Sequence, residues 1–138
     1  MEKYQKEIDL IFFTNSGEID QLTGAMAPDR FDQIVKRDLA ISDRSRSNLS
    51  MISITLDIEK FLVTEVEQES ATVISAIEGE LVKITFSLRS IFRESDCICR
   101  VSQLGFWVFF VSKSQSESAL VIERARQSWK SSIIRCNL

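Results

Sequence analysis

Phe31, Ile34, Val35 and Leu39 recur at intervals of three and four, the spacing of one helical face. They predict a helix from about Asp29 to Ile41. Pro28, the chain's only proline, suits its start because a first helical position needs no N–H donor. The polar run Ser42–Asn48 then reads as a loop. At Met51–Leu56 the period drops to two, with Ile52, Ile54 and Leu56 on one side, the mark of a half-buried strand. Leu81, Ile84, Leu88 and Phe92 return to helical spacing and predict a second helix. Two short strands follow, near Cys97–Val101 and Phe106–Val111, joined as a hairpin. The second is apolar without alternation, as a central strand covered on both faces would be. Ala119, Ile122, Ala125 and Trp129 predict a third helix over Ser116–Trp129, and Ile133-Ile134 starts one more strand. Ahead of these elements, residues 1–19 form a leader with an apolar patch, Leu10-Ile11-Phe12-Phe13, and a turn at Asn15-Ser16-Gly17. It reads as the end of a linking helix or as a packing strap. Residues 20–138 are the domain proper. The order helix, strand, helix, hairpin, helix predicts an α+β fold with helices packed on an antiparallel or mixed sheet.

Composition narrows the function classes. The 138 residues are 44% hydrophobic and 27% charged, enough for one domain with one core. A net charge of −3 without a basic stripe argues against nucleic acid, whose phosphates need clustered Lys and Arg. No apolar run approaches the ~20 residues of a membrane span, and Met1-Glu2-Lys3-Tyr4 opens no signal peptide, so a cytoplasmic protein with no membrane contact is expected. The three cysteines, Cys97, Cys99 and Cys136, are an odd count and read as reduced thiols. Cys97 and Cys99 share one face of a strand as small buried hydrophobes rather than half a zinc site, since the chain has no His and one further Cys. The lack of His also removes the usual base for Ser or Cys nucleophilic catalysis.

Short motifs in a fixed order add a family resemblance. Asp20-Gln21-Leu22-Thr23-Gly24 resembles the D-x-L-T-G entry of GGDEF domains, the diguanylate cyclase fold, with Phe31 where that family has an aromatic residue in its first helix. The Asn-Arg usual after the Gly is replaced by Ala27-Pro28. Leu56-Asp57-Ile58-Glu59-Lys60-Phe61 resembles the D-I-D-x-F that follows the first core strand. Arg93-Glu94-Ser95-Asp96 has the form and spacing of the inhibitory R-x-x-D, and Ile122-Glu123-Arg124-Ala125-Arg126 resembles the helix after the hairpin. The motifs follow one another in the family's order and spacing. The resemblance spans roughly Asp20 to Arg126 and implies a nucleotidyl-cyclase-like sheet with packed helices, shortened at its C-terminus.

The same resemblance implies that catalysis is lost. Ser102, Gln103, Leu104, Gly105 and Phe106 fill the five signature places, and only the Phe fits. A diguanylate cyclase sets Mg²⁺ against triphosphate, and Mg²⁺ takes oxygen ligands. Asp57 matches the first metal carboxylate, but Leu104 replaces the other, leaving Asp57 a vestige with no metal expected. Ser102 and Gln103 add bulk where glycines admit the nucleotide. The guanine-binding Asn is absent, with Glu65 nearest by spacing. No cofactor and no catalytic residue is expected.

The R-x-x-D resemblance implies instead a receptor for cyclic di-GMP, the cyclase product. Arg93 supplies a fork for phosphate or the guanine Hoogsteen edge, and Asp96 an acceptor for guanine N1 and N2. Arg124 falls where the family has a second inhibitory-site Arg, and Arg44 or Arg46 could be the Arg lent by another protomer. The plain alternative is a solvated helix end, with Arg93 favoured by the helix dipole. Three functions remain open. One is an inactive GGDEF-like receptor, dimeric or signalling to a protein partner. The second is a nucleotide-independent interaction or dimerisation module that contacts partners through Ile8–Phe13 or Trp129–Ile134. Residual GTP binding without turnover is a third, with slight support from Asp57.

Overall fold

The computed structural model describes residues 4–14, 16–45, 48–62, 69–112, 114–128 and 134–137. Its elements are α1 (Gln5–Asp9), α2 (Pro28–Ser45), β1 (Asn48–Leu56), α3 (Ile58–Phe61), α4 (Ser70–Ile91), β2 (Cys97–Arg100), β3 (Gly105–Ser112), α5 (Gln115–Ser128) and β4 (Ile134–Asn137). The strands form one sheet in the order β2-β3-β1-β4, every neighbouring pair antiparallel. Among the described residues no helix is long and apolar enough to cross a membrane.

Side-chain alternation divides the sheet between two cores. Ile52, Ile54 and Leu56 of β1 and Phe106, Val108 and Phe110 of β3 point to one face and are buried. There they meet Val73, Ile77, Leu81, Ile84 and Leu88 of α4 and Ala125 of α5. Phe109, Cys97 and Cys99 point to the other face and pack under α2 with Phe31. The expected α+β sandwich is thus the observed one, and β3 lies inside the sheet as its unbroken apolar run predicted.

Four expectations shift, one of them the start of β1, which lies at Asn48 rather than Met51. Helix α2 runs on to Ser45, because no Gly or Pro interrupts the polar run after Ile41 and polar residues are tolerated on a solvated helix. Leu39, assigned to its buried stripe, is exposed. On α5 the inward stripe is Ser118, Val121, Ile122 and Ala125, while Ala119 is exposed. A serine faces inward there because its hydroxyl is satisfied: Ser118 bonds the hydroxyls of Ser112 and Ser50. Trp129 and Ile133 lie outside the described residues, and β4 begins at Ile134.

The leader is tied to the domain. Ile11 is buried in the main core, and Ser70 Oγ at the start of α4 donates to Glu7 Oε1 at 2.9 Å. Further on, Met26 N–H donates to the Ile98 carbonyl at 2.8 Å and the Met26 carbonyl accepts from Arg100 N–H at 3.0 Å. This short parallel bridge covers the outer edge of β2, which would otherwise present unpaired backbone groups.

Cys97 and Cys99 are buried free thiols. Burial pushes Cys99 up from 9.0 to about 12, with the Asp20 charge adding to it, and pushes Cys97 up in the same direction. A thiol that stays neutral in the fold favours folding below the unfolded value and loses that contribution as pH rises from 9.0 towards about 12. We therefore expect iodoacetamide at pH 8 to leave both unmodified in the native protein and to alkylate both in denaturant, read by peptide mass mapping. Rapid native alkylation of either would contradict the packing.

Candidate functional site

Two regions carry the motif residues: the signature turn and the R-x-x-D turn. The ladder positions the first. Pairing of Thr55 with Gly105, and the bond from Leu56 N–H to the Leu104 carbonyl at 3.0 Å, set the hairpin turn beside the carboxyl end of β1. Asp57 follows at once and serves as the N-cap of α3, its Oδ1 accepting from Lys60 N–H at 3.3 Å. Leu104 is half-buried against the main core. A cleft of about 350 Å³ opens here between Thr55, Asp57, Glu59 and Leu104, and Gln5 and Ile8 of α1 form part of its wall. The donor set departs from that of a cyclase: Leu104 offers the turn no anionic oxygen, which leaves Asp57, whose Oδ1 caps α3, and Glu59 as the carboxylates lining the cleft. Ser102 crowds the turn further, since a Cβ at Gly105 would stand 2.7 Å from Ser102 Oγ.

Beneath this turn lies a buried ion pair. Arg100 Nη1 donates to Asp20 Oδ1 at 3.0 Å and Oδ2 at 3.2 Å, with side-chain exposures of 0% and 1%. Asp20 also accepts from Thr23 N–H at 3.0 Å and Thr23 Oγ1 at 2.6 Å. Arg100 Nη2 donates to the Gln103 carbonyl at 3.0 Å, and the Phe13 ring lies 5.5 Å from the guanidinium carbon. Burial lowers the Arg100 pKa, and the Asp20 charge opposes that shift. The Asp20–Gly24 motif is therefore an anchor for the hairpin turn. Sequence reading did not assign Arg100 a role, because its partner lies eighty residues away.

The R-x-x-D turn follows the C-cap of α4, where Phe92 turns extended. Asp96 Oδ2 accepts from Arg93 N–H at 2.8 Å, and Asp96 N–H donates to the Arg93 carbonyl at 2.9 Å, closing the turn. Arg93 Nε stands 3.7 Å from the same carboxylate, and its Nη2 donates to the Val111 carbonyl at 2.6 Å. Asp96 is nearly buried while Arg93 is exposed. Both line a cleft of about 520 Å³ between the end of α4 and the strap over β2, together with Arg89, Arg30, Glu18 and Glu94. Gly24 borders it with φ +79, a conformation that suits glycine, and its carbonyl accepts from Arg89 Nη2 at 2.7 Å.

The structure thus brings Arg93 and Asp96 together and adds Arg30 and Arg89, which sequence reading did not single out. Each is an ordinary exposed helix charge by pattern, and only the cleft groups them. Arg124 is exposed on α5 and is not among the residues lining this cleft. Arg46, Glu65 and the side chains of Arg44 and Arg126 lie outside the described residues.

An antiparallel sheet of this order, with one helix on one face, two on the other and a hairpin turn set against the end of β1, is a GGDEF-type fold. The GGDEF domain of FimX from Pseudomonas aeruginosa superposes with a TM-score of 0.67 at 17% identity, over 83% of this chain and 67% of that one. The GGDEF domain of DgcB from Caulobacter crescentus, solved in complex with c-di-GMP, gives 0.64 at 16% identity over 87% and 67%. A microbial GGDEF domain described in a novel interaction mode with bis-(3′,5′)-cyclic di-GMP gives 0.67 at 14% over 86% and 72%. No family model matches the sequence, and no curated protein matches it. At these identities the likeness establishes the fold.

Proposed function

We propose that this chain is a catalytically inactive GGDEF-like signalling domain that binds cyclic di-GMP in the Arg93–Asp96 cleft and relays occupancy to a protein partner. The observation that carries the reading is the contrast between the two clefts. The one beside Asp57 keeps Asp57 and Glu59 but has Leu104 where the signature carboxylate would stand and the leader helix in its wall, so the metal set that phosphoryl transfer needs is incomplete. The other gathers three guanidiniums, Arg30, Arg89 and Arg93, with three carboxylates, Glu18, Glu94 and Asp96, a set suited to a guanine edge and a phosphodiester. Two of the solved GGDEF structures are described with c-di-GMP, which makes the ligand chemistry apt for this fold.

Calorimetric titration of cyclic di-GMP into the purified chain, with GTP in a parallel cell, tests this. Saturable binding of cyclic di-GMP and none of GTP is expected. Binding of neither would leave the second reading, a protein-interaction module. That reading draws on Val82 and Phe86, exposed one turn apart on α4.

A further inference from the structure

We infer that Arg89, on the last turn of α4, is the residue that grips the ligand's phosphate, and that Arg93 chiefly positions Asp96. This rests on the proposed cyclic di-GMP site. A guanidinium holds a phosphate best through two parallel N–H groups on one edge. The Nε–Nη2 edge of Arg93 is already turned onto the protein, with Nη2 on the Val111 carbonyl at 2.6 Å and Nε 3.7 Å from Asp96. Its charge is offset by that carboxylate. Arg89 also has Nη2 on a backbone carbonyl, but its Nε faces no carboxylate among the described residues. The Nη2 bond runs to a neutral carbonyl, that of Gly24, at 2.7 Å. Among the described residues no carboxylate forms an ion pair with it.

Two consequences follow for an anion entering the cleft. Arg89 is held in the cleft lining by the Gly24 carbonyl, so part of its rotamer entropy is lost before binding rather than on it. Among the described residues it forms no ion pair, so a phosphate gains more there than beside the Arg93–Asp96 pair. The acids in the lining act on selectivity. Glu18 and Glu94 stand in the same wall and oppose a polyphosphate more strongly than a cyclic diester, whose two negative charges lie far apart. The site therefore favours cyclic di-GMP over GTP by repulsion as well as by grip.

The test is a cyclic di-GMP titration of the full chain and its Arg89→Ala and Arg89→Lys variants, with a thermal melt of each. Arg89→Ala is expected to weaken binding at least about tenfold, the loss of one charge-assisted contact, without moving the melting midpoint much. Arg89→Lys keeps the charge and the stem but not the fork, and is expected to weaken binding as well. Unchanged affinity in Arg89→Ala would overturn the assignment while leaving the receptor reading intact. If Arg89→Ala does not fold, unchanged affinity in Arg89→Lys would overturn it in the same way. A wild-type chain that binds no cyclic di-GMP would overturn the receptor reading, and this inference with it.

Discussion

Asp20→Ala is expected to be the most destabilising single change in the described structure. It removes the counter-charge of Arg100, whose side chain is fully buried. Breaking a buried pair from one side costs about 3–5 kcal/mol, because the remaining ion is left without compensation. For a chain of this size that is a drop in melting midpoint on the order of 10–20 °C. The replacement also frees Thr23 N–H and Oγ1, and Arg100 loses part of what holds the Gln103 carbonyl in the hairpin turn. Arg100→Met with Asp20→Leu should recover much of the loss, since a buried pair replaced by apolar groups of similar volume is often neutral. Differential scanning calorimetry of the single and double variants decides it. A shift of only a degree or two in Asp20→Ala would mean that water reaches Arg100. The pair would then not be the anchor described.

Loss of cyclic di-GMP binding in Asp96→Ala is the largest functional effect expected. Its carboxylate is nearly buried and closes the Arg93–Asp96 turn, so truncation removes a ligand acceptor and the group that orients Arg93. Truncating one member of such a pair typically costs about 2–5 kcal/mol of affinity, which puts binding beyond most titrations. Arg93→Ala should also lose binding, because Asp96 is left without its cation. The fold should survive both changes: the turn is at the surface, and the loss of one backbone-to-carboxylate bond costs about 1–2 kcal/mol. Calorimetric titration with a melt of each variant checks both halves. Equal affinity in wild type, Arg93→Ala and Asp96→Ala would remove the receptor reading.

Much of the fold was legible because its elements carry regular periods. Ile52, Ile54 and Leu56 announced β1, and all three are buried. Leu81, Ile84 and Leu88 announced α4 and are buried as well. The reading slipped where Leu39 and Ala119, apolar and in period, lie exposed, and where a polar residue sat in place of an apolar one. Ser118 faces inward because two other hydroxyls meet it, and a period count has no term for that. The length of β1 slipped for a similar reason. Asn48 and Ser50 belong to the strand because they pair with Ser112 and Phe110, a cross-strand fact that their own sequence does not hold.

The candidate site divides along the same line. Loss of the signature acids is a matter of residue identity: the Leu104 side chain offers a cation no oxygen in any fold, so the chain alone determined that the hairpin lacks the signature carboxylate. The R-x-x-D tetrad was also readable, because its members are close in sequence and a short turn brings them together. Which other cations join it was not readable. Arg30, Arg89 and Arg93 come from two helices and a turn, and only the packing of α4 against the strap over β2 gathers the first two and leaves Arg124 off the wall. Asp20 and Arg100 are the extreme case: two ordinary charged letters that became a buried pair because the sheet edge and its strap enclose both. Local period and residue chemistry are properties of the chain, but electrostatic partnership depends on distance and burial, which only the tertiary structure supplies.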